Sequence, residues 1–327
     1  MVPKNGVPSV SIIIVNWNGK NILDRCLHSL ETKTVYPNYY VILVDNGSTD
    51  GSVMHVRENH KWIDVLPLDK NYGFSKGCNF GILYAHKKYS SDYYLLLNND
   101  TEIVQEDWLS EMISVAEGDE RLGILGCILI FPDGRIQNIG ITFEVRGLLW
   151  LGIPKKLILK RQYEVDAVLG ACFLIKKIVI DKIGLLDEGY SPFQNEESDF
   201  CARAKKAGFK IITYTGVKIV HIKSFSMDKV KVDYSDLIIR KNEIRFILLN
   251  FPLSWMVKRF PYEIMIFLRC FLKKGGGKRI KLRDRNDMRA RSRMYGIAWL
   301  TNFKNLPEII VKRWNRKSYE SSIWEKG

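Results

Sequence analysis

The chain has 327 residues, enough for one large domain with an appendage or for two modest domains. Its 46% hydrophobic and 26% charged residues are those of a folded globular protein, which excludes a disordered or fibrous chain. The net charge of +14 is unevenly placed: residues 1–239 hold 28 Lys+Arg against 29 Asp+Glu, and residues 240–327 hold 22 against 7. A near-neutral body with a strongly basic tail calls for two regions with different partners.

No run approaches the roughly 20 apolar residues of a bilayer-spanning helix. The longest candidate, Ile264–Leu272, is cut by Arg269. The first apolar run, Val10–Val15, lacks the charged leader and cleavage site of a signal peptide. The expected location is therefore the cytoplasm, or the cytoplasmic face of a membrane. The six cysteines are scattered without a C-x-x-C pair and read as reduced core residues.

In chain order, Val10–Asn16 predicts a buried strand, and Leu23, Cys26, Leu27 and Leu30 mark one face of a helix. Tyr39–Val44 predicts a second strand and Asp50–Asn59 a short helix with Ser48 as its cap. Ile63–Leu68 is a third strand, Gly77–Lys87 a helix, and Tyr93–Leu97 a fourth strand. This alternation predicts a mainly parallel sheet with helices on both faces. Pro132-Asp133-Gly134 marks a turn, and the pattern is irregular up to about Val165. Ala171–Lys176 resumes as a strand and Ser198–Gly208 as a helix. From about Tyr234 the pattern is helical only, with Lys273–Lys278 as a Gly-rich linker and a domain boundary near Met227–Tyr234.

Ligands of open α/β sheets collect beyond the carboxyl ends of the strands. The second strand ends in Asp45-Asn46-Gly47-Ser48, an acidic turn suited to a nucleoside or simply to starting a helix. The fourth ends in Asn98-Asn99-Asp100, where a carboxylate at the end of a buried strand needs a cation or several donors. A divalent cation on two phosphates takes one or two protein carboxylates, a role open to Asp100, with Asn98 near the ribose. Glu196, Glu197 and Asp199 crowd one helix start, where the macrodipole favours negative charge and where one of them can act as a general base. His221 closes the run Val217–Val220, as a core histidine or as a metal ligand.

Taken in order, VSIIIVNWNG (Val10–Gly19), VDNGSTDGS (Val44–Ser52), NYGFSKGCNFGI (Asn71–Ile82), LLLNND (Leu95–Asp100), GACFLIKK (Gly170–Lys177), FQNEESDFCARAKKAGFK (Phe193–Lys210), VHIKS (Val220–Ser224) and YSDLIIRKNEIRF (Tyr234–Phe246) resemble glycosyltransferase family 2, the inverting enzymes of GT-A fold, and within it the rhamnosyltransferase-like branch. The resemblance covers roughly residues 8–250. It implies a GT-A catalytic domain over 1–233, with a nucleotide-sugar half at about 8–130 and an acceptor half at about 131–233. The basic amphipathic helical region then spans 234–327.

By position, the resemblance implies that Asp45 recognises the base, with Val15 and Asn16 lining its pocket, and that Asn71, Gly73 and Asn79 cover the nucleotide. Charge alone suggests Lys76 for the diphosphate. Asp100 matches the metal-binding carboxylate of the DxD-type motif, whose first position here is Asn98, and His221 a histidine that helps hold Mg2+ or Mn2+. Gly170 and Ala171 fall beside donor sugar and acceptor. Glu197 matches the catalytic Asp of an E-D-x-D pattern that reads E-E-S-D here, which leaves Glu196 and Glu197 both open as the base. The donor implied is a nucleotide diphosphate sugar, with dTDP-rhamnose or a UDP-hexose as candidates, and the acceptor a glycan or lipid-linked glycan.

Two rivals differ in kind. A nucleotidyltransferase wants a Gly-rich basic loop after the first strand, where this chain has Asn16-Trp17-Asn18-Gly19. A non-catalytic scaffold would tolerate loss of Asp100 and Glu197. For the tail, phosphates of nucleic acid or anionic lipid reward the same charge. Trp255, Phe260, Phe267, Trp299 and Trp314 interleaved with it favour a membrane surface over nucleic acid, with an oligomer interface as the other use.

Overall fold

The computed structural model describes residues 6–144, 147–150, 160–222, 232–251 and 285–316, together with Ser254, Val257, Lys258 and Pro261. By contact clustering the chain forms two compact units. The first comprises Met1–Thr142, Leu149–Ser226 and Tyr319–Gly327; the second comprises Phe143–Leu148 and Met227–Ser318.

Unit 1 is built on one large sheet. Strands β1 (Val10–Asn16), β2 (Tyr39–Asp45), β3 (Asp64–Pro67) and β4 (Tyr93–Asn98) lie in the order β3-β2-β1-β4, all parallel. Their cores are near-continuous Val, Ile and Leu because the strands are covered on both faces. Ile12 and Ile14 join Leu23, Leu27 and Leu30 of helix α1 (Lys20–Lys33) in one cluster. Ile13 and Val15 face helix α3 (Phe74–Tyr89), which comes close through Gly77 and Gly81. The helix α2 (Ser52–Asn59) follows β2.

Beyond β4 the sheet is mixed, not mainly parallel. The short β5 (Thr101–Ile103) follows β4, and helix α4 (Trp108–Glu117) leads into β6 (Leu122–Ile130). Then come β7 (Ile136–Asn138), β8 (Ile141–Glu144), β9 (Gly147–Trp150), β10 (Gln162–Glu164) and β11 (Cys172–Lys176). Helices α5 (Lys177–Ile183) and α6 (Glu196–Lys206) precede the long β12 (Lys210–His221). β11 inserts antiparallel between β4 and β6, and β12 runs parallel to β6 while pairing antiparallel with β5 and β10.

β6 and α4 lie between β4 and the turn at Pro132, where the sequence pattern predicts no element. Leu122–Ile130 is apolar at nearly every position, as a strand buried on both faces must be, so alternation gives no signal. Ser48 does not cap α2. Its Oγ instead accepts from Asn16 Nδ2 (3.3 Å) and the Asn18 amide (2.8 Å), while Asp50 takes the Ser52 amide at 3.0 Å. Cys26, Cys78, Cys127, Cys172 and Cys201 are buried and free, as expected of reduced core residues.

Unit 2 contains helices α7 (Val232–Asn250), α8 (Arg285–Lys304) and α9 (Leu306–Asn315). Part of its basic excess is internal. Arg245, whose side chain is 3% exposed, pairs with Glu308 at 2.9 Å, and Arg313 donates to the carbonyls of Leu248 (2.6 Å) and Phe251 (2.8 Å). Trp255, Phe260, Phe267 and the Lys273–Lys278 linker lie outside the described residues. Among the described residues no helix is long and apolar enough to cross a membrane.

Candidate functional site

The carboxyl ends of β1, β2 and β4 gather a layer of buried amides and carboxylates. Asp45 is 2% exposed; its Oδ1 accepts from Asn16 Nδ2 (3.1 Å) and its Oδ2 from the Ser48 amide (2.9 Å). Asn16, fully buried, accepts in turn from Asn99 Nδ2 at 2.9 Å. The β2 end is thereby tied to the β4 end through side chains alone. Burial of so many polar groups is tolerable only because each is paired.

The loop at 71–73 is set by Asn46. Its Oδ1 accepts from the Tyr72 amide (2.9 Å), and its Nδ2 donates to Asn71 Oδ1 and the Gly73 carbonyl, both at 3.1 Å. Gly73 sits at φ +85°, and a Cβ there would come within 2.7 Å of Ser191 Oγ, so the position requires glycine. The next residue, Phe74, donates its amide to the Pro192 carbonyl at 2.8 Å. The loop is thus fastened to the segment that enters α6.

Asn79, expected over the nucleotide, and Lys76, expected at the diphosphate, both have partners within the protein. Asn79 exchanges both amide groups with the Leu186 backbone (3.0 Å each), and Lys76 pairs with Glu188 at 3.4 Å over the rings of Tyr72 and Phe80. Both side chains serve to hold α3 to the 186–188 segment. Val15, in register with Val44 and Asn98, packs beneath Gly77.

At the β4 end, Asp100 is 6% exposed and its Oδ1 stands 3.3 Å from His221 Nε2, while Asn98 Nδ2 lies 3.3 Å from the same nitrogen. His221 Nδ1 is 2.7 Å from Gln137 Oε1. That amide oxygen can only accept, so Nδ1 carries a proton towards it and Nε2 faces Asp100 Oδ1 and Asn98 Nδ2. A carboxylate oxygen and an imidazole nitrogen at this spacing can share a proton or a cation. Ligands at right angles around an ion with bonds of about 2.1 Å are about 3 Å apart, close to the spacing seen here. The pair therefore fits a divalent ion with Gln137 behind the histidine, the usual arrangement for orienting a metal-bound imidazole. Gln137 was missed in the sequence because it lies in the irregular stretch and matches no motif.

Glu196 and Glu197 open α6, with Gln194 (φ 85°) and Asn195 (φ 73°) preceding them in the left-handed region. Glu197 Oε1 accepts from the Gly170 amide at 3.1 Å, and a Cβ on Gly170 would fall on that oxygen. The Ala171 carbonyl then accepts from the Asn98 amide at 3.3 Å. This chain of contacts leads from Glu197 through 170–171 to Asn98, and so to His221 and Asp100. Burial pushes the Glu197 carboxyl up to about 7, against the Gly170 amide, which favours its charged form. Glu196 is 2% exposed with Oε2 unpartnered, and burial followed by the Glu197 charge raises its carboxyl far above the ordinary range. Glu197 keeps partial access to solvent and Glu196 does not. Asp199 braces the helix start, accepting from Tyr190 Oη and Arg203 Nε at 3.0 Å each.

The order of the central sheet and the elements around it are those of a GT-A type fold. The structure aligns with GalNAc-T7 crystallised with UDP, GalNAc and Mn2+ (TM-score 0.63, 14% identity, 93% of this chain and 58% of that one). It also aligns with the mannosyltransferase PcManGT from Pyrobaculum calidifontis in complex with GDP-Man and Mn2+ (TM-score 0.54, 14% identity, 99% and 91%). Residues 11–184 match the family model of glycosyl transferase family 2, and the chain belongs to that family.

Similar proteins include the low-salt glycan biosynthesis hexosyltransferase Agl10 of Haloferax volcanii, 26% identical over 82% of this chain and 84% of that protein. The N-acetylglucosaminyl-diphospho-decaprenol L-rhamnosyltransferase of Mycobacterium tuberculosis is 24% identical over 66% and 76%. Some relatives are much longer. The chain spans 25% of an uncharacterized Sinorhizobium fredii protein (29% identical over 68% of this chain) and 18% of the O-antigen biosynthesis protein RfbC of Myxococcus xanthus (28% over 68%).

Proposed function

We propose that the chain is an inverting, divalent-ion-dependent glycosyltransferase that moves a sugar from a nucleotide diphosphate donor to a hydroxyl of a glycan or lipid-linked glycan. The observation that carries this reading is the hydrogen-bonded path from Glu197 through Gly170, Ala171 and Asn98 to the Asp100–His221 pair. It sets a proton acceptor and an ion-binding pair at two ends of one short run of backbone.

In this reading Asp45, held by Asn16 and Ser48, accepts from the base, and the Asn71–Gly73 loop lies over the nucleotide. Asp100 and His221 hold Mg2+ or Mn2+, which supplies neutralisation of the charge developing on the departing diphosphate. Glu197 takes the proton of the acceptor hydroxyl as it attacks the anomeric carbon, whose transition state has oxocarbenium character. A carboxyl balanced near neutrality suits that task. Glu196 is sealed from solvent. The Mn2+ complexes of the two aligned structures support the ion, and the named relatives support a role in glycan assembly.

The branch resemblance and the mycobacterial relative favour a rhamnosyl donor such as dTDP-rhamnose. A hexosyl donor is the second reading, because the hexosyltransferase relative matches over most of both chains. Turnover of a panel of nucleotide sugars, with Mn2+ or with chelator, separates the two and tests the reaction. In unit 2, Ile297 (48% exposed), Leu300 (62%) and Phe303 (61%) on α8 and Ile310 (56%), Val311 (57%) and Trp314 (78%) on α9 present apolar surface near Lys304 and Lys312. That combination suits peripheral attachment to anionic lipid on the cytoplasmic face, where lipid-linked acceptors reside. Co-sedimentation with anionic vesicles tests it: salt-sensitive binding is expected, and its absence removes the membrane from the account.

A further inference from the structure

A second group of metal-ligand side chains lies away from the Asp100–His221 pair. Asp24 on α1, His55 on α2 and His60 just past the end of α2 bring one ligand atom each within 4.8 Å of one another. His55 Nε2 is 2.6 Å and His60 Nε2 is 3.2 Å from the same oxygen, Asp24 Oδ1. The chain has only five histidines, and two of them aim the same ring nitrogen at one carboxylate.

We propose that Asp24, His55 and His60 form a cation site for Zn2+ or a similar borderline transition metal. Two imidazoles and one carboxylate are a ligand set for tetrahedral zinc with a water in the fourth position. Bonds of about 2.0–2.1 Å place tetrahedral ligands about 3.3 Å apart, so the present spacing adapts by side-chain rotation alone. The backbone is prepared: the His60 amide donates to the Val56 carbonyl at 2.8 Å, and the His60 ring is 9% exposed. Asp24 and His55 stay open enough for an ion to enter, at 59% and 22%.

Asn59 Nδ2 lies 3.3 Å from His55 Nδ1, an arrangement in which His55 carries its proton on Nε2 and donates it to Asp24. Ion uptake exchanges that proton for one on Nδ1, and the exposed Asn59 amide turns to accept it. His60 Nδ1 has no hydrogen-bond partner and is equally ready to hold the proton displaced from Nε2. The site clamps α1 to α2, the helices whose starts are already tied by the Lys20 amide on Asp50 Oδ2 at 2.9 Å.

The test uses the full chain without a histidine tag, stripped with chelator and titrated with Zn2+ in a thermal melt. The rise in Tm expected at about a hundredfold excess over Kd is at least ~3 °C. His55→Gln/His60→Gln keeps an amide donor to Asp24 but removes the imidazoles, and the exposed Asp24→Asn gives a second, milder variant. Both should abolish the rise, whereas Asp100→Ala should leave it intact. Co2+ bound to the unaltered chain should show the strong visible absorption of a tetrahedral site, lost in Asp24→Asn. No rise with Zn2+, a rise that survives in both variants, or one lost only in Asp100→Ala would each overturn the proposal.

Discussion

Replacing Glu197 with Gln is expected to make the protein more stable and nearly inactive. Burial pushes this carboxyl up to about 7 from an ordinary 4.5. The folded chain therefore binds a proton that the unfolded chain has lost across that interval, and stability falls as pH rises from about 4.5 to 7. The gap corresponds to a penalty of about 3 kcal/mol, carried in full above pH 7 and absent below pH 4.5. Gln keeps the shape and stays neutral. Chemical unfolding of both proteins at pH 4.5, 6 and 8, in chelator, should show near-equal stability at the lowest pH and an advantage for the variant approaching 3 kcal/mol at pH 8. The Glu197 charge also raises the Glu196 carboxyl, so its removal relieves that repulsion too and adds to the variant's advantage at high pH. Transfer activity should fall by about 10²–10⁴. Parallel pH dependences, or a variant less stable at pH 8, would refute the account of how the base is held.

Three further substitutions probe neighbouring parts. Gly170→Ala places a methyl on Glu197 Oε1 and should lower kcat by about 10² while the fold, read by circular dichroism, is kept. Gln137→Leu frees the His221 ring and should raise the Mn2+ concentration needed for half-maximal rate by about 10–100-fold, with saturating activity largely retained. Asp199→Ala strands Arg203, whose side chain is 6% exposed, and should cost about 3–5 kcal/mol, seen as a large drop in Tm.

The legible parts of the fold were those with a period or a motif. β1, α1, β2, α3 and β4 lie within a few residues of their expected positions because each pairs an apolar run with a turn of recognisable composition. β6 escaped because a strand buried on both faces looks the same as any apolar run. The antiparallel entry of β11 escaped because strand direction depends on contacts far apart in the chain. In the candidate site, the expected residues Asp45, Asp100, Glu197 and His221 are charged or titratable groups at element ends, which the sequence displays directly. The residues that position them are not so displayed. Gln137, Asn99 and Asn46 are ordinary amides whose importance comes only from what lies within 3 Å of them, and Asn79 and Lys76 were assigned to the nucleotide although the 186–188 segment engages them.

The most direct test is release of nucleoside diphosphate from a panel of nucleotide sugars, with glycan acceptor, in Mn2+ and in chelator. The account predicts turnover of at least one donor in Mn2+, collapse of that turnover in chelator, and the same collapse in Asp100→Ala. Undiminished turnover in chelator, or full activity in Asp100→Ala, would contradict it.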